Sequence, residues 1–217
     1  MSKKLIIFDF DGTLVDTRIG IAKSFNYALQ KNNLSTVDNQ QIYDLIGLPL
    51  EQMFMVYSSE FEILSRDFRE DYNANGYQLY EVYDQIEELI LTLYNSGSTL
   101  VIATTKRQPS VNFILEELGW LKYFELVIDG SMVTDNKPNV ESFDLIKSRY
   151  SNIPNSEIIM IGDTHIDWEF AKNACIDVFI VNYGYDQKNL ISRGNIEQLQ
   201  SILGLRRLLS VESKNPK

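Results

Sequence analysis

The sequence contains little cysteine: Cys175 is the single cysteine among 217 residues. One cysteine cannot form an internal disulfide framework, and its scarcity suits a reducing compartment. Long apolar runs are also missing, and no stretch reaches the length of a membrane span. The N-terminal residues 1–4 run directly into the first predicted strand and leave no room for the apolar segment of a signal peptide. We therefore expect a cytoplasmic protein.

Basic residues are also in short supply, with 20 Lys and Arg against 30 Asp and Glu and a net charge of −10. Such an excess of negative charge argues against nucleic acid or an anionic membrane as a partner. An anionic ligand would have to be attracted locally, against the field of the whole chain. The hydrophobic fraction of 44% is sufficient for a real core, and the length suggests one large domain or a domain with an insert.

The most informative stretch begins at Leu5, where a short apolar run ending at Phe8 predicts a strand buried on both faces. Asp9 and Asp11 follow, and the side-chain period of two would place them on one face. At an effective dielectric constant of about 20, two charges about 4 Å apart repel by roughly 4 kcal/mol, so a cation or a shared proton is needed. Alternatively, Asp11-Gly12 is only a turn. This stretch alone leaves both interpretations open.

Helical spacing dominates from Asp16 to Ser98, and no convincing strand is predicted there. Strands then alternate with helices, which is typical of an α/β, doubly wound parallel sheet. We predict a core of residues 1–16 and 83–205, a helical insert of residues 17–82 and a disordered tail of residues 206–217. The last predicted helix carries Ile196, Leu199, Ile202 and Leu203.

Polar residues at the ends of the predicted strands form an ordered series: Asp9 with Asp11, then Thr104, Lys137, and Asp163 with Asp167. Each alone has a structural explanation as a cap, a loop residue or a turn residue. Together they favour a site, because a fold has no structural reason to gather so many acids on one sheet edge.

This series resembles the four motifs of the haloacid dehalogenase superfamily, which appear here as DFDGT from Asp9, Thr104, Lys137-Pro138 and GDTHID from Gly162. The resemblance, to the phosphoglycolate phosphatase-like subfamily, implies a Rossmann-like core with a small helical cap. It implies that Asp9 is the nucleophile that forms an aspartyl-phosphate and that Asp11 is the general acid and base. Thr104 and Lys137 would contact the transferring phosphoryl group.

Mg²⁺ is the cofactor that the resemblance implies, with Asp9, the backbone carbonyl of Asp11 and Asp163 as its protein ligands. Asp167 would bind the metal directly or act through the surrounding shell. Substrate contacts are expected from Gly12 and Thr105, and from the cap loop of residues 47–51, where Gly47 and Leu50 are the candidates. That loop could equally be a simple connection between helices.

We therefore predict a Mg²⁺-dependent phosphatase acting on a small phosphorylated metabolite, as a monomer or homodimer. A sugar phosphomutase is an alternative, ranked lower because Leu50 stands where those enzymes carry a basic cap residue. A catalytically idle binding protein is the other alternative. We interpret His165, the only histidine, as a loop side chain at the pocket rim, and Cys175 as a small core residue.

Overall fold

A computed structural model of the protein describes residues 3–186, 190 and 204–205. Two predictions lie outside the described residues. They are the last helix, with Ile196, Leu199, Ile202 and Leu203, and the disordered tail of residues 206–217. Within the described part, eight α-helices, three short 3-10 helices and seven strands follow one another along the chain.

A five-stranded parallel sheet forms the centre, with the strand order β5-β4-β1-β6-β7. Its strands are β1 (Leu5–Phe8), β4 (Thr99–Ala103), β5 (Leu126–Ile128), β6 (Ile158–Gly162) and β7 (Asp177–Ile180). Every residue of β1 is buried, and Phe8 pairs with Ile102 on one side and Ile161 on the other. The continuous apolar run thus marks the central strand of the sheet.

Helices cover both faces of this sheet, and successive residues of β1 contribute to opposite faces. Ile6 and Phe8 pack in one apolar cluster with α5 (Ile86–Asn95) and α6 (Ser110–Glu117). Leu5 and Ile7 pack in another with α7 (Glu141–Arg149) and α8 (His165–Asn173). The predicted doubly wound α/β fold is confirmed. None of the described helices is both long and apolar enough to cross a membrane.

Four further helices form what we call the helical module: α1 (Arg18–Lys31), α2 (Asn39–Tyr43), α3 (Leu50–Met55) and α4 (Phe61–Ala74). They share an apolar cluster of their own, in which the rings of Phe25 and Phe54 stack with centroids 4.0 Å apart. Because these helices bury their apolar faces against one another, the module has its own core. Whether residues 17–82 form a separate domain remains a prediction.

The prediction of no strand between Asp16 and Ser98 was wrong. A two-stranded antiparallel ribbon pairs β2 (Val15–Asp16) with β3 (Glu81–Val82), one strand at each end of the helical module. Strands of two residues carry no readable alternation, so the pattern missed them. The ribbon brings the entry and exit of the module together beside the end of β1.

Cys175 also departs from its prediction as a core residue, because its side chain is exposed. It follows α8 with φ +52°, the left-handed conformation that often ends a helix. By contrast, Trp120 and Phe124 are buried in the core.

Candidate active site

Three aspartates meet at the carboxyl ends of β1 and β6. Asp9 follows β1, Asp163 follows β6, and Asp167 lies in the first turn of α8. All three are buried, and one carboxylate oxygen from each lies within 4.8 Å of the others. The two strands are parallel neighbours, so their ends bring together residues more than 150 positions apart in sequence.

Lys137 provides a positive charge inside this cluster. Its Nζ atom donates to Asp9 Oδ1 at 2.8 Å and to Asp167 Oδ1 at 2.6 Å. Burial lowers the pKa of Lys137, but the neighbouring Asp167 and Asp9 outweigh that effect and raise the pKa above its ordinary value. Lys137 therefore remains charged and neutralises part of the cluster.

One lysine does not balance three carboxylates. Burial raises the pKa of Asp9 to about 7, with Asp167 and Asp11 adding to the rise and Lys137 opposing it. Burial, together with Asp9 and Asp167, also raises the pKa of Asp163 well above its ordinary value. A cluster of hard oxygen donors that lacks enough positive charge fits a divalent cation such as Mg²⁺.

Neighbouring groups orient two of these carboxylates. Asp163 accepts hydrogen bonds from Thr13 Oγ1 at 3.1 Å and from the backbone N–H of Tyr185 at 2.7 Å. Thr164 caps the N-terminus of α8, and its N–H and Oγ1 donate to Asp167 Oδ2 at 3.1 and 2.8 Å. This reciprocal capping explains why the helix starts where it does. The same contacts leave Asp167 aimed toward Lys137.

Asp11 occupies a different position from the three clustered aspartates. Strand β1 ends at Phe8, so both Asp9 and Asp11 lie in the following loop rather than on the alternating face of a strand. The Asp11 carboxylate accepts from Thr17 Oγ1 at 2.6 Å and from Lys106 Nζ at 3.0 Å. Its carboxylate is not part of the described acidic cluster, and a metal contact through its backbone carbonyl remains a prediction.

Gly12 packs against the acidic cluster. Its φ is +85°, and a Cβ atom at this position would lie 2.3 Å from Asp163 Oδ2. Its N–H donates to Val15 O at 2.8 Å, and Gly12 does not line the cavity described below. The geometry therefore explains this glycine by a turn and a close approach to Asp163, and a substrate contact by Gly12 stays a prediction.

A cavity of about 990 Å³, including the solvent at its mouth, separates the sheet edge from the helical module. The catalytic candidates Asp9, Asp11, Thr104, Lys137 and Asp167 line one side, together with Thr105. Residues of the predicted cap loop line the other side, including Gly47 and Leu50. Gly47 has φ +110°, and a Cβ atom there would lie 3.3 Å from the Thr164 methyl group. The loop thus lies over the start of α8.

Three basic residues that line the cavity were not assigned to the site from the sequence: Arg69, Lys106 and Arg107. Lys106 lies two positions after Thr104, so its place beside a motif residue could have identified it as a site residue from the sequence. Arg69 lies on α4 and pairs with Glu51 across the cavity wall. Nothing in a helical pattern distinguishes such an arginine from one on a solvated face, so no sequence signal was available.

The interpretation of His165 as a loop side chain at the rim of the pocket was also wrong. It is the first residue of α8, its Nδ1 lies 2.6 Å from Asp186 Oδ2, and it does not line the cavity.

Comparison with known proteins agrees with this geometry. Residues 6–181 match the family described as Haloacid dehalogenase-like hydrolase. The chain belongs to this family. The family and the enzyme class predicted from the sequence, a phosphoric monoester hydrolase of the haloacid dehalogenase type, are confirmed.

Individual relatives carry different names. A phosphoglycolate phosphatase of Vibrio parahaemolyticus is 31% identical over 88% of this chain and 89% of its own length. A tyrosine-protein kinase, PtkA of Mycobacterium tuberculosis, is 28% identical over 94% of this chain and 74% of its own length. The crystal structure of a predicted phosphatase from Clostridium acetobutylicum superposes with a TM-score of 0.84 at 27% identity, covering 97% of this chain and 100% of that one.

Proposed function

We propose that this protein is a Mg²⁺-dependent phosphatase that hydrolyses a small phosphomonoester through an aspartyl-phosphate on Asp9. The observation that carries the proposal is the placement of Asp9, Lys137 and Asp167 on the wall of one cavity, with Asp163 behind them. Carboxylates and a lysine in this arrangement suit in-line phosphoryl transfer.

Asp9 is the nucleophile in this proposal. Lys137 holds Asp9 Oδ1 at 2.8 Å, which orients the carboxylate in the cavity. As Asp9 bonds to phosphorus, the ester P–O bond breaks and its electron pair goes to the leaving oxygen. Mg²⁺ bound by Asp9, Asp163 and Asp167 would supply charge neutralisation for the phosphoryl oxygens. Thr104 lines the same wall and adds a hydroxyl group.

Asp11 handles the protons. It gives a proton to the leaving oxygen, and the resulting carboxylate later takes one from the water that attacks the phosphorus of the aspartyl-phosphate. That attack breaks the bond between Asp9 and phosphorus and restores both aspartates. General acid and base catalysis of this kind contributes about 10² to 10⁴ in rate.

Positive charge in the cavity would attract an anionic substrate despite the net charge of −10. Arg69 and Arg107 line the cavity together with Lys106 and Lys137. The phosphoglycolate phosphatase of Vibrio parahaemolyticus supports a small phosphorylated carboxylate as the first substrate to test. The loop of residues 47–51 would contribute to selection, because Leu50 and its neighbours face the reacting groups across the cavity.

Phosphate release tests the proposal. The purified protein is incubated with phosphoglycolate, p-nitrophenyl phosphate, sugar phosphates and nucleotides, with Mg²⁺ or with EDTA. We expect release that requires Mg²⁺ and that Asp9→Asn abolishes, whereas Asp84→Asn, a matched change at an exposed aspartate, has no effect. Near-normal turnover by Asp9→Asn would contradict the assignment of the nucleophile. No release from any ester would favour the idle binding protein.

A sugar phosphomutase is the second candidate, and Arg69 is the observation that keeps it open. The sequence offers Leu50 in place of a basic cap-loop residue, but the structure brings Arg69 to the cavity from α4 of the helical module. A guanidinium group there could hold a second phosphate. Migration of phosphate from one hydroxyl group of a sugar monophosphate to another, without net release of phosphate, would establish the mutase.

A further inference from the structure

Lys106 connects the reacting groups to the helical module. Its side chain is 8% exposed, and its Nζ donates to Asp11 Oδ1 at 3.0 Å and to the Tyr72 hydroxyl at 2.9 Å. The same nitrogen lies 4.3 Å from the centre of the Tyr72 ring. Tyr72 belongs to α4, whereas Lys106 follows β4 of the sheet. One ammonium group therefore contacts both the acid-base candidate and the module.

The position of this ammonium group is well defined. The backbone N–H of Lys106 donates to Thr104 Oγ1 at 3.1 Å, which ties the lysine to the wall of the cavity. A buried lysine needs an opposite charge and hydrogen-bond acceptors, and Asp11 and Tyr72 supply them. Truncation of Lys106 would leave Asp11 without its charged partner.

The Asp11 carboxylate is held from two sides. Thr17 Oγ1 donates to Asp11 Oδ1 at 2.6 Å from the start of the module, and Lys106 Nζ contacts both carboxylate oxygens, at 3.0 and 3.3 Å. The hydroxyl contacts one carboxylate oxygen only, whereas the cation lies close to both and so restricts rotation of the carboxylate further. The orientation of Asp11 thus depends on Lys106.

We propose that Lys106 is a positioning residue that holds Asp11 in the orientation needed to protonate the leaving oxygen, and that Tyr72 makes this orientation depend on the seating of α4. The inference rests on the proposed phosphatase function. It assigns a role to Lys106, which is not among the catalytic residues predicted from the sequence.

The dependence of rate on the leaving group tests this role. An alkoxide leaves poorly unless it is protonated, whereas p-nitrophenolate leaves without a proton. We measure the first turnover of Lys106→Met by rapid quench, with phosphoglycolate and with p-nitrophenyl phosphate. We expect the first-turnover rate to fall roughly 10²-fold for phosphoglycolate, in line with loss of general acid catalysis. The nitrophenolate burst should stay close to the wild-type rate, and the ester concentration that half-saturates the first turnover should be unchanged for both esters.

Tyr72→Phe removes only the hydroxyl group and provides a second, milder variant. It should slow the phosphoglycolate reaction in the same direction but less than Lys106→Met does, because the ammonium group remains beside Asp11. Lys122→Met is the matched control, since Lys122 is exposed and lies over the ring of Tyr123, away from the cavity. Circular dichroism confirms that each variant is folded.

Two results would overturn the inference while leaving the phosphatase intact. Equal slowing of both esters would show that Lys106 does not act through proton delivery. A higher half-saturating concentration for both esters, with unchanged maximal first-turnover rates, would show that Lys106 binds substrate directly. Absence of phosphate release from the wild-type protein would instead refute the proposed function, and this inference with it.

Discussion

Replacement of Lys137 by methionine is the sharpest test of the electrostatics of the site. The side chain is 4% exposed, and its ammonium group joins Asp9 and Asp167 at 2.8 and 2.6 Å. Methionine has a similar length and no charge, so the change removes the cation with little change in packing. Three buried carboxylates would then remain without the lysine.

The expected loss of stability follows from breaking a buried ion pair, which costs about 3–5 kcal/mol. This loss should depend on pH. Burial raises the pKa of Asp9 to about 7, so the folded state binds more protons than the unfolded state from about pH 4 to about pH 7, and stability falls as pH rises through that range. Without Lys137 the pKa of Asp9 rises further, and the range extends to higher pH.

The full loss of about 3–5 kcal/mol is therefore expected at pH 8 in EDTA. A smaller loss is expected at pH 5, where Asp9 is already protonated. Urea unfolding followed by tryptophan fluorescence measures both values, since Trp120 is buried in the core. Lys23→Met is the control at an exposed lysine. A loss below about 1 kcal/mol at pH 8, or equal losses at the two pH values, would refute the reasoning.

Three other predictions concern the metal, the turn and the module. Mg²⁺ at 100 times its dissociation constant should stabilise the protein by about 2.7 kcal/mol, which raises its melting temperature. Asp163→Asn should abolish this rise in melting temperature. An equal rise in the variant would count against the assigned site. Gly12→Ala should lower the free energy of unfolding by more than about 1–2 kcal/mol and weaken Mg²⁺ binding, because its Cβ would lie 2.3 Å from Asp163 Oδ2; wild-type unfolding and Mg²⁺ titration curves would contradict this. Asp67→Ala should cost about 1–3 kcal/mol in urea unfolding, because Asp67 Oδ2 accepts from Asn32 Nδ2 at 2.8 Å. The hydrogen bond from Asn32 lowers the pKa of Asp67, so the difference should be complete above about pH 4 and should shrink as the pH falls further below that value. A difference that does not shrink in acid would contradict the explanation.

The order of motifs along the chain predicted much of the site. The apolar run before Asp9 and the similar run before Asp163 marked two buried strands, and parallel strands direct their carboxyl ends to one edge. That rule brings the two aspartates together without any knowledge of the coordinates. Lys137 depended on the family resemblance, because a lysine in a loop carries no such positional rule.

Contacts across long separations in sequence were outside the reach of the patterns. The ribbon of β2 and β3 joins Val15 to Val82, and each strand is too short to show a period. Cys175 was assigned to the core from its residue type, whereas the end of α8 places it in a left-handed conformation with an exposed side chain. The backbone conformation at a helix end decided its exposure.

By itself, the sequence determined the α/β class through its local periodicity and the family through its ordered motifs, and it placed Asp9 and Asp163 at one sheet edge because each follows a strand. The structure decided that the carboxylate of Asp167, and not that of Asp11, completes the acidic cluster. Only the tertiary structure decided which lysine pairs with which carboxylate. Lys137 lies between Asp9 and Asp167. Lys106 lies between Asp11 and the hydroxyl group of Tyr72. The contact between Lys106 and Tyr72 arises from the packing of the helical module over the sheet edge, whereas the other pairings arise among loops and helix ends that meet at that edge. A charge acts over a few ångströms in space, and spacing along the chain does not encode that distance.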